Sequence, residues 1–253
     1  MDRKPKPISI HAAGSLRNVL PALMNAFKAM TDSAFEVRHG PAGLLRERIE
    51  AGDRPDLFLS ANLAHPARLS EIGLARPPVV FARNTLAAIV RRDAGITTEN
   101  FVDRLLAPDV AIATSTPLKD PSGDYAWEVF RNIEAIRPGA FAVLEAKAQK
   151  LVGGGEPAGS PGNYDAIAEA LKAATATLFL GYRTGLEPMA AKLDGVEVVT
   201  IPPEINAFPQ YGMAVLNDCS RAGMAFALFI LSAAGQKLLA DFGFQPVAVP
   251  EGN

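Results

Sequence analysis

Ile8-Ser9-Ile10-His11-Ala12-Ala13-Gly14-Ser15-Leu16 is the stretch that decides the fold. In its first half the β-branched residues Ile8 and Ile10 alternate with Ser9 and His11, as in a buried strand. Leu16, Val19, Leu20, Leu23, Met24, Phe27 and Met30 then recur at helical spacing. The pattern predicts a strand, a small-residue turn and a helix over 16–30 with Ser15 as its N-cap. Such a helix start turns free N–H groups and the positive end of the dipole toward whatever lies beyond it, which suits an anion.

The plan then repeats. Phe35-Glu36-Val37-Arg38 reads as a strand, His39-Gly40-Pro41-Ala42-Gly43 as a turn, and residues 44–50 as a helix closed by Ala51-Gly52. Residues 54–61 form a third buried strand pattern. Further along, strands are predicted over 85–91, 110–114, 141–146, 177–182, 196–201 and 213–216. Helices are predicted over 98–106, from the turn Asp120-Pro121-Ser122-Gly123 to about 135, over 164–173 and over 221–234. Residues 147–162, with Gly153-Gly154-Gly155 and Gly159-Ser160-Pro161-Gly162, form the loosest stretch. Alternating strands and helices predict an α/β protein with mostly parallel sheets.

Composition narrows the function classes. The chain has 253 residues, 49% hydrophobic and 21% charged, with a formal net charge of −2. That is the make-up of an ordinary globular protein with a sizeable core. Dispersed charges argue against nucleic acid or an anionic membrane as partner. A small-anion site needs no net positive charge, because backbone N–H groups suffice. Cys219 is the one cysteine, so neither an intrachain disulfide nor a cysteine zinc site is predicted. His11, His39 and His65 are scattered without metal-ligand spacing, and no cofactor is expected. The longest apolar run, 224–234, is too short to span a bilayer. No signal-peptide pattern precedes the first strand. A periplasmic protein whose leader has been removed and a cytoplasmic one therefore both stay open.

Several pieces in order resemble the molybdate-binding proteins of ABC importers, a branch of the type II periplasmic binding proteins. They are Ala12-Ala13-Gly14-Ser15-Leu16, Gly40-Pro41-Ala42-Gly43, Ile49-Glu50-Ala51-Gly52 and Pro55-Asp56-Leu57-Phe58-Leu59-Ser60-Ala61. Val79 to Asn84 and Gly235 to Phe244 extend the likeness to nearly the whole chain. The resemblance implies a two-lobed α/β fold with lobe 1 over 1–83 and 210–253, lobe 2 over 84–209, and a ligand cleft between lobes that close by a hinge. It implies a monomer that binds molybdate or tungstate and hands it to a permease. A dehydrated oxyanion would be held by neutral donors, since charge-assisted hydrogen bonds are strong.

Carried over by position, the resemblance places Ser15 first as hydroxyl and amide donor. The second position falls on Ala42, which keeps the amide but lacks the family's hydroxyl. The third is the Ser122 amide, where a hydroxyl has been gained. The fourth maps near Tyr164, with Asn163 as cap, and the fifth is the Tyr182 phenol. Gly14, Gly43, His39 and Arg183 flank these positions as further candidates. Short residues at Ser15, Ala42 and Ser122 would suit an anion larger than sulfate. The competing readings are weaker. The glycine-rich stretch lacks the Gly-Lys-Ser/Thr of a phosphate loop. No Gly-x-Ser-x-Gly nucleophile elbow is present, and no paired acids mark general acid–base chemistry, so an enzyme is not expected. A cytosolic sensor or carrier for an oxyanion or a small organic anion is the alternative.

Overall fold

The opening stretch folds as strand β1, Ile8–Ala13, buried at every residue but Ser9. It continues into a single 3-10 turn, Gly14–Leu16, and helix α1 begins only at Leu20 (Leu20–Lys28). Ser15 is therefore not the cap of a helix over 16–30, as the periodicity predicts. Pro21 accounts for the difference: it lacks an N–H and fits only the first turn of a helix. The computed structural model describes residues 6–153 and 163–247.

Strand β2 (Phe35–Gly40), helix α2 (Ala42–Glu50), strand β3 (Leu57–Ser60), helix α3 (Ala64–Glu71) and strand β4 (Val79–Arg83) follow. Helix α2 starts two residues earlier than its pattern, with Pro41 as N-cap and Ala42 as first residue. The chain divides into two units, Met1–Asn84 with Gln210–Asn253, and Thr85–Pro209.

The second unit opens with β5 (Leu86–Arg91), α4 (Phe101–Leu106), β6 (Ile112–Ser115) and α5 (Pro121–Ile136). Next comes α6 (Ala140–Lys147), a helix where a strand is predicted over 141–146. Good helix formers fill it (Ala140, Ala142, Leu144, Glu145, Ala146, Lys147). Its start is also satisfied, because the Glu134 carboxylate accepts from the N–H groups of Gly139 (3.0 Å) and Phe141 (2.8 Å). Part of the stretch expected to be loose is strand β7 (Gln149–Val152). Then come α7 (Asn163–Lys172), β8 (Leu178–Tyr182), α8 (Arg183–Ala190) and β9 (Val196–Thr200).

The chain returns to the first unit with β10 (Gln210–Val215), α9 (Arg221–Leu231) and α10 (Ala233–Asp241). The last two replace the single helix expected over 221–234 and meet at 63°. Ser232 makes the break: its side chain accepts from the N–H of Gly235, capping α10. A Cβ at Gly235 would lie 2.2 Å from the Phe229 carbonyl oxygen, so the bend needs glycine. Among the described residues no single helix is long and apolar enough to cross a membrane.

Both units use one plan. The sheets run β2-β1-β3-β10-β4 and β7-β6-β8-β5-β9. In each, β10 or β5 is antiparallel to both neighbours while the other strands share one direction. The sheets are thus mixed, each four strands one way and one the other, with helices on both faces. In the first unit Phe27 of α1 packs edge-on to Phe226 of α9 at 5.2 Å between ring centres. In the second, Ile89, Leu171, Phe179 and Leu186 share one buried cluster.

One buried carboxylate ties the first unit together. Asp56, 7% exposed, accepts from the Ser9 N–H at 2.8 Å and the Ser220 N–H at 2.6 Å. It thereby joins β1, the entry to β3 and the start of α9. Beside it the half-buried Cys219 thiol is pushed up to about 11, first by burial and then by the Asp56 charge. Asp56→Ala strands two buried donors, each of which costs about 1–3 kcal/mol. The expected outcome is a loss of about 2–5 kcal/mol in urea unfolding at unchanged m-value.

Candidate functional site

The first unit gathers its candidates by register. Ala13 pairs with Gly40 and Ala12 with Leu59, so β1, β2 and β3 end together. The turn holding Gly14 and Ser15 and the start of α2 at Ala42 and Gly43 lie side by side at that end. Carboxyl ends of parallel strands are where open α/β sheets bind ligands. The reversed strand β10 starts at the same end, since Gly212 faces Ser60. It brings Tyr211, a residue the sequence pattern does not single out, to the Ser15 turn.

Ser15 is half-buried and takes a hydrogen bond from the Tyr211 phenol at 2.9 Å. Tyr211 is fully buried, packed edge-on against Phe81 and Phe244. The Asn84 side-chain amide donates to the phenol oxygen at 3.3 Å. Ala42 is fully buried and begins α2, so the first amides of that helix have no intrahelical acceptor. A Cβ at Gly14 would meet nothing within 4 Å.

The second unit repeats the gathering. Ile112 pairs with Leu178 and Ser115 with Val152, so β6, β7 and β8 also end together. Ser122 is buried in the first turn of α5, and the Tyr182 ring lies 6.3 Å from that of Tyr125, three residues further along the helix. The Ser122 amide, however, donates to the Asp120 carboxylate at 3.1 Å. Asp120 caps this helix, with Pro121 following. The donor expected for an anion is thus already bonded to a negative group. The Asp-Pro pair is a helix-start signature visible in the sequence. A Cβ on Gly123 would lie 2.6 Å from the Ser115 carbonyl oxygen, so glycine there lets α5 sit against the end of β6. Helix α7 begins at Asn163; the side chains of Asn163 and Tyr164 lie outside the described residues, as do residues 154–162.

The charged candidates are engaged or disfavoured as cations. Arg183 starts α8 and donates to Glu187 at 3.0 Å and Thr200 at 2.6 Å. His39 is half-buried on β2, and burial, aided by Arg17, holds it below the usual imidazole range. The charged form is disfavoured there. Burial also lowers His11 despite Asp53. A shallow cavity of about 330 Å³ in the second unit is lined by Glu99, Asp103 and Glu204 with Arg137. That arginine pairs with Asp103 at 3.1 Å, leaving an acidic wall unsuited to an anion. Among the described residues no three His, Cys, Asp or Glu side chains are grouped to hold a metal ion.

Two mixed sheets of like topology, each with small-residue turns and helix starts at its carboxyl end, define a solute-binding protein fold. A family model described as bacterial extracellular solute-binding protein matches residues 8–245, and the chain belongs to that family. An uncharacterized protein of Pasteurella multocida (strain Pm70) is 35% identical over 243 residues, covering 94% of this chain and 98% of its own. Among solved structures, the sulfate-binding protein SubI from Mycobacterium tuberculosis H37Rv is similar with a TM-score of 0.79 at 20% identity, covering 96% of this chain and 88% of that one. The periplasmic molybdate-binding protein of Azotobacter vinelandii is similar with a TM-score of 0.73 at 15% identity, covering 96% and 100%.

The histidines give a pH test. Burial, then the Arg46 guanidinium, brings His65 down from 6.5 to about 4. Between those values the unfolded chain binds the proton and the folded chain does not, so stability falls as pH falls. Urea unfolding is expected to weaken progressively from pH 6.5 toward 4, and His65→Gln to flatten that slope.

Proposed function

We propose that this chain is a non-catalytic binding protein for a tetrahedral oxyanion, with molybdate or tungstate as its first ligand, delivered to an ABC transporter permease. The observation that carries the reading is the end of the first unit's sheet. There the Ser15 hydroxyl, engaged by a buried phenol, sits beside the unbonded first amides of α2. A dianion is stabilised by such neutral donors without a countercharge. The structural likeness to a molybdate-binding and a sulfate-binding protein supports a tetrahedral oxyanion as the ligand class. The extracellular family supports a protein that works in the periplasm, and we assign it the monomeric state the sequence resemblance implies.

In this reading Ser15, Ala42 and the adjoining Gly14 and Gly43 are the donors of the first unit. The Ser122 hydroxyl, the Tyr164 amide and Tyr182 serve in the second. Molybdate is favoured over sulfate by room, since Ser15, Ala42 and Ser122 are all short. Asp120 works against the anion, because its charge sits on the helix start that would otherwise attract it.

Calorimetric titration of ligand-stripped protein with molybdate, tungstate and sulfate tests the reading. Heat with molybdate and tungstate supports it. Silence with all three overturns it. Ser15→Ala removes one charge-assisted hydrogen bond and is expected to weaken molybdate binding by about 10- to 100-fold. Asp120→Asn keeps an oxygen to cap α5 while removing the charge. It is expected to tighten molybdate binding several-fold, with little change in the thermal midpoint.

A further inference from the structure

We infer that Asn84 and Tyr211 are positioning residues that fix the Ser15 hydroxyl as a donor to the bound anion. The inference rests on the oxyanion reading of the same site and adds two residues to it. A serine hydroxyl has one hydrogen and two lone pairs, and a free one rotates among three staggered positions. Only one of these aims the hydrogen at a given acceptor. Here direction propagates along a chain of three side chains. The Asn84 Nδ2 group can only donate, and it donates to the Tyr211 oxygen at 3.3 Å. The phenol in turn donates to the Ser15 oxygen at 2.9 Å. Ser15 Oγ accepts that bond, so its own hydrogen points away from Tyr211.

The chain is rigid where it needs to be. Asn84 is 1% exposed and Tyr211 0%, and the phenol ring is held edge-on between Phe81 at 6.1 Å and Phe244 at 5.3 Å. Both residues also stand where the polypeptide changes unit. Asn84 is the last residue before the second unit, and Tyr211 is the second after the return. The two crossings thus meet through one phenol oxygen behind the candidate donor.

A double-mutant cycle in binding separates this role from a structural one. Molybdate affinity is measured calorimetrically for wild type, Tyr211→Phe, Ser15→Ala and the double variant, each titrated to saturation, with the thermal midpoint of each ligand-free protein alongside. Tyr211→Phe keeps the ring and its packing. It is expected to weaken molybdate binding by about three-fold or more, the share lost when one of three rotor positions is no longer selected. In the Ser15→Ala background the same change is expected to have no effect, because the hydroxyl it steers is gone. Asn84→Ala, which removes the group that sets the phenol's direction, is expected to follow the same pattern. Equal loss with and without the Ser15 hydroxyl overturns the inference, as does no loss in Tyr211→Phe. Wild-type protein that binds none of molybdate, tungstate and sulfate overturns the oxyanion reading and the inference with it. Wild type that binds while the cycle shows no coupling overturns the inference alone.

Discussion

A reversed strand in an otherwise one-way sheet is the constraint on which the first unit's site depends. Strands β1, β2 and β3 can bring only their last residues to the carboxyl end. Strand β10, hydrogen-bonded between β3 and β4 in the opposite sense, brings its first ones. Tyr211 therefore arrives beside a turn nearly two hundred positions earlier, a sequence separation of 196. Strand β5 has the same place in the second sheet, where Leu86 faces Tyr182. In each unit the reversed strand is the one that follows a crossing, so the sheet's hydrogen bonds fix where the chain enters.

The two sheet ends differ in charge although their topology is alike. In the first unit the helix start at Ala42 has no side-chain cap, and the nearby serine is held by a neutral phenol. In the second, Asp120 supplies a carboxylate to its own helix. A capping carboxylate stabilises a helix start by neutralising the field that would draw an anion. Helix stability and anion affinity thus compete at α5 and do not compete at α2.

Much of this was legible in the sequence. Ile10, Ala12 and Ala13, Leu57 to Leu59 and Leu178 to Leu180 are apolar because these strand residues are covered on both faces, and that pattern survives any context. Ser15 and Ala42 could be placed at strand ends for the same reason. The failures have local causes. Residues 141–146 are mostly apolar and short enough for a buried strand, yet their helix propensity and the Glu134 bonds at the start of α6 prevailed. The apolar run after Arg221 shows no break in hydropathy, because the bend at Ser232 is made by a cap and a glycine. Helix α8, with Gly185 and Pro188 inside, carries the opposite of a helix signal. Asn84 and Tyr211 escaped because nothing local marks them: their role is set by pairing across the sheet.

The Cys219 thiol, set against the Asp56 carboxylate, has a consequence for where the protein can last. Thiol–disulfide exchange proceeds through the thiolate. A group pushed up to about 11 is ionised at neutral pH in only about one molecule in ten thousand. Burial, and after it the same carboxylate that holds β1 and α9 together, therefore keep the thiolate of this lone cysteine scarce. An unpaired thiol of that kind can persist in an oxidising compartment, where disulfides otherwise form, without cross-linking one copy of the chain to another.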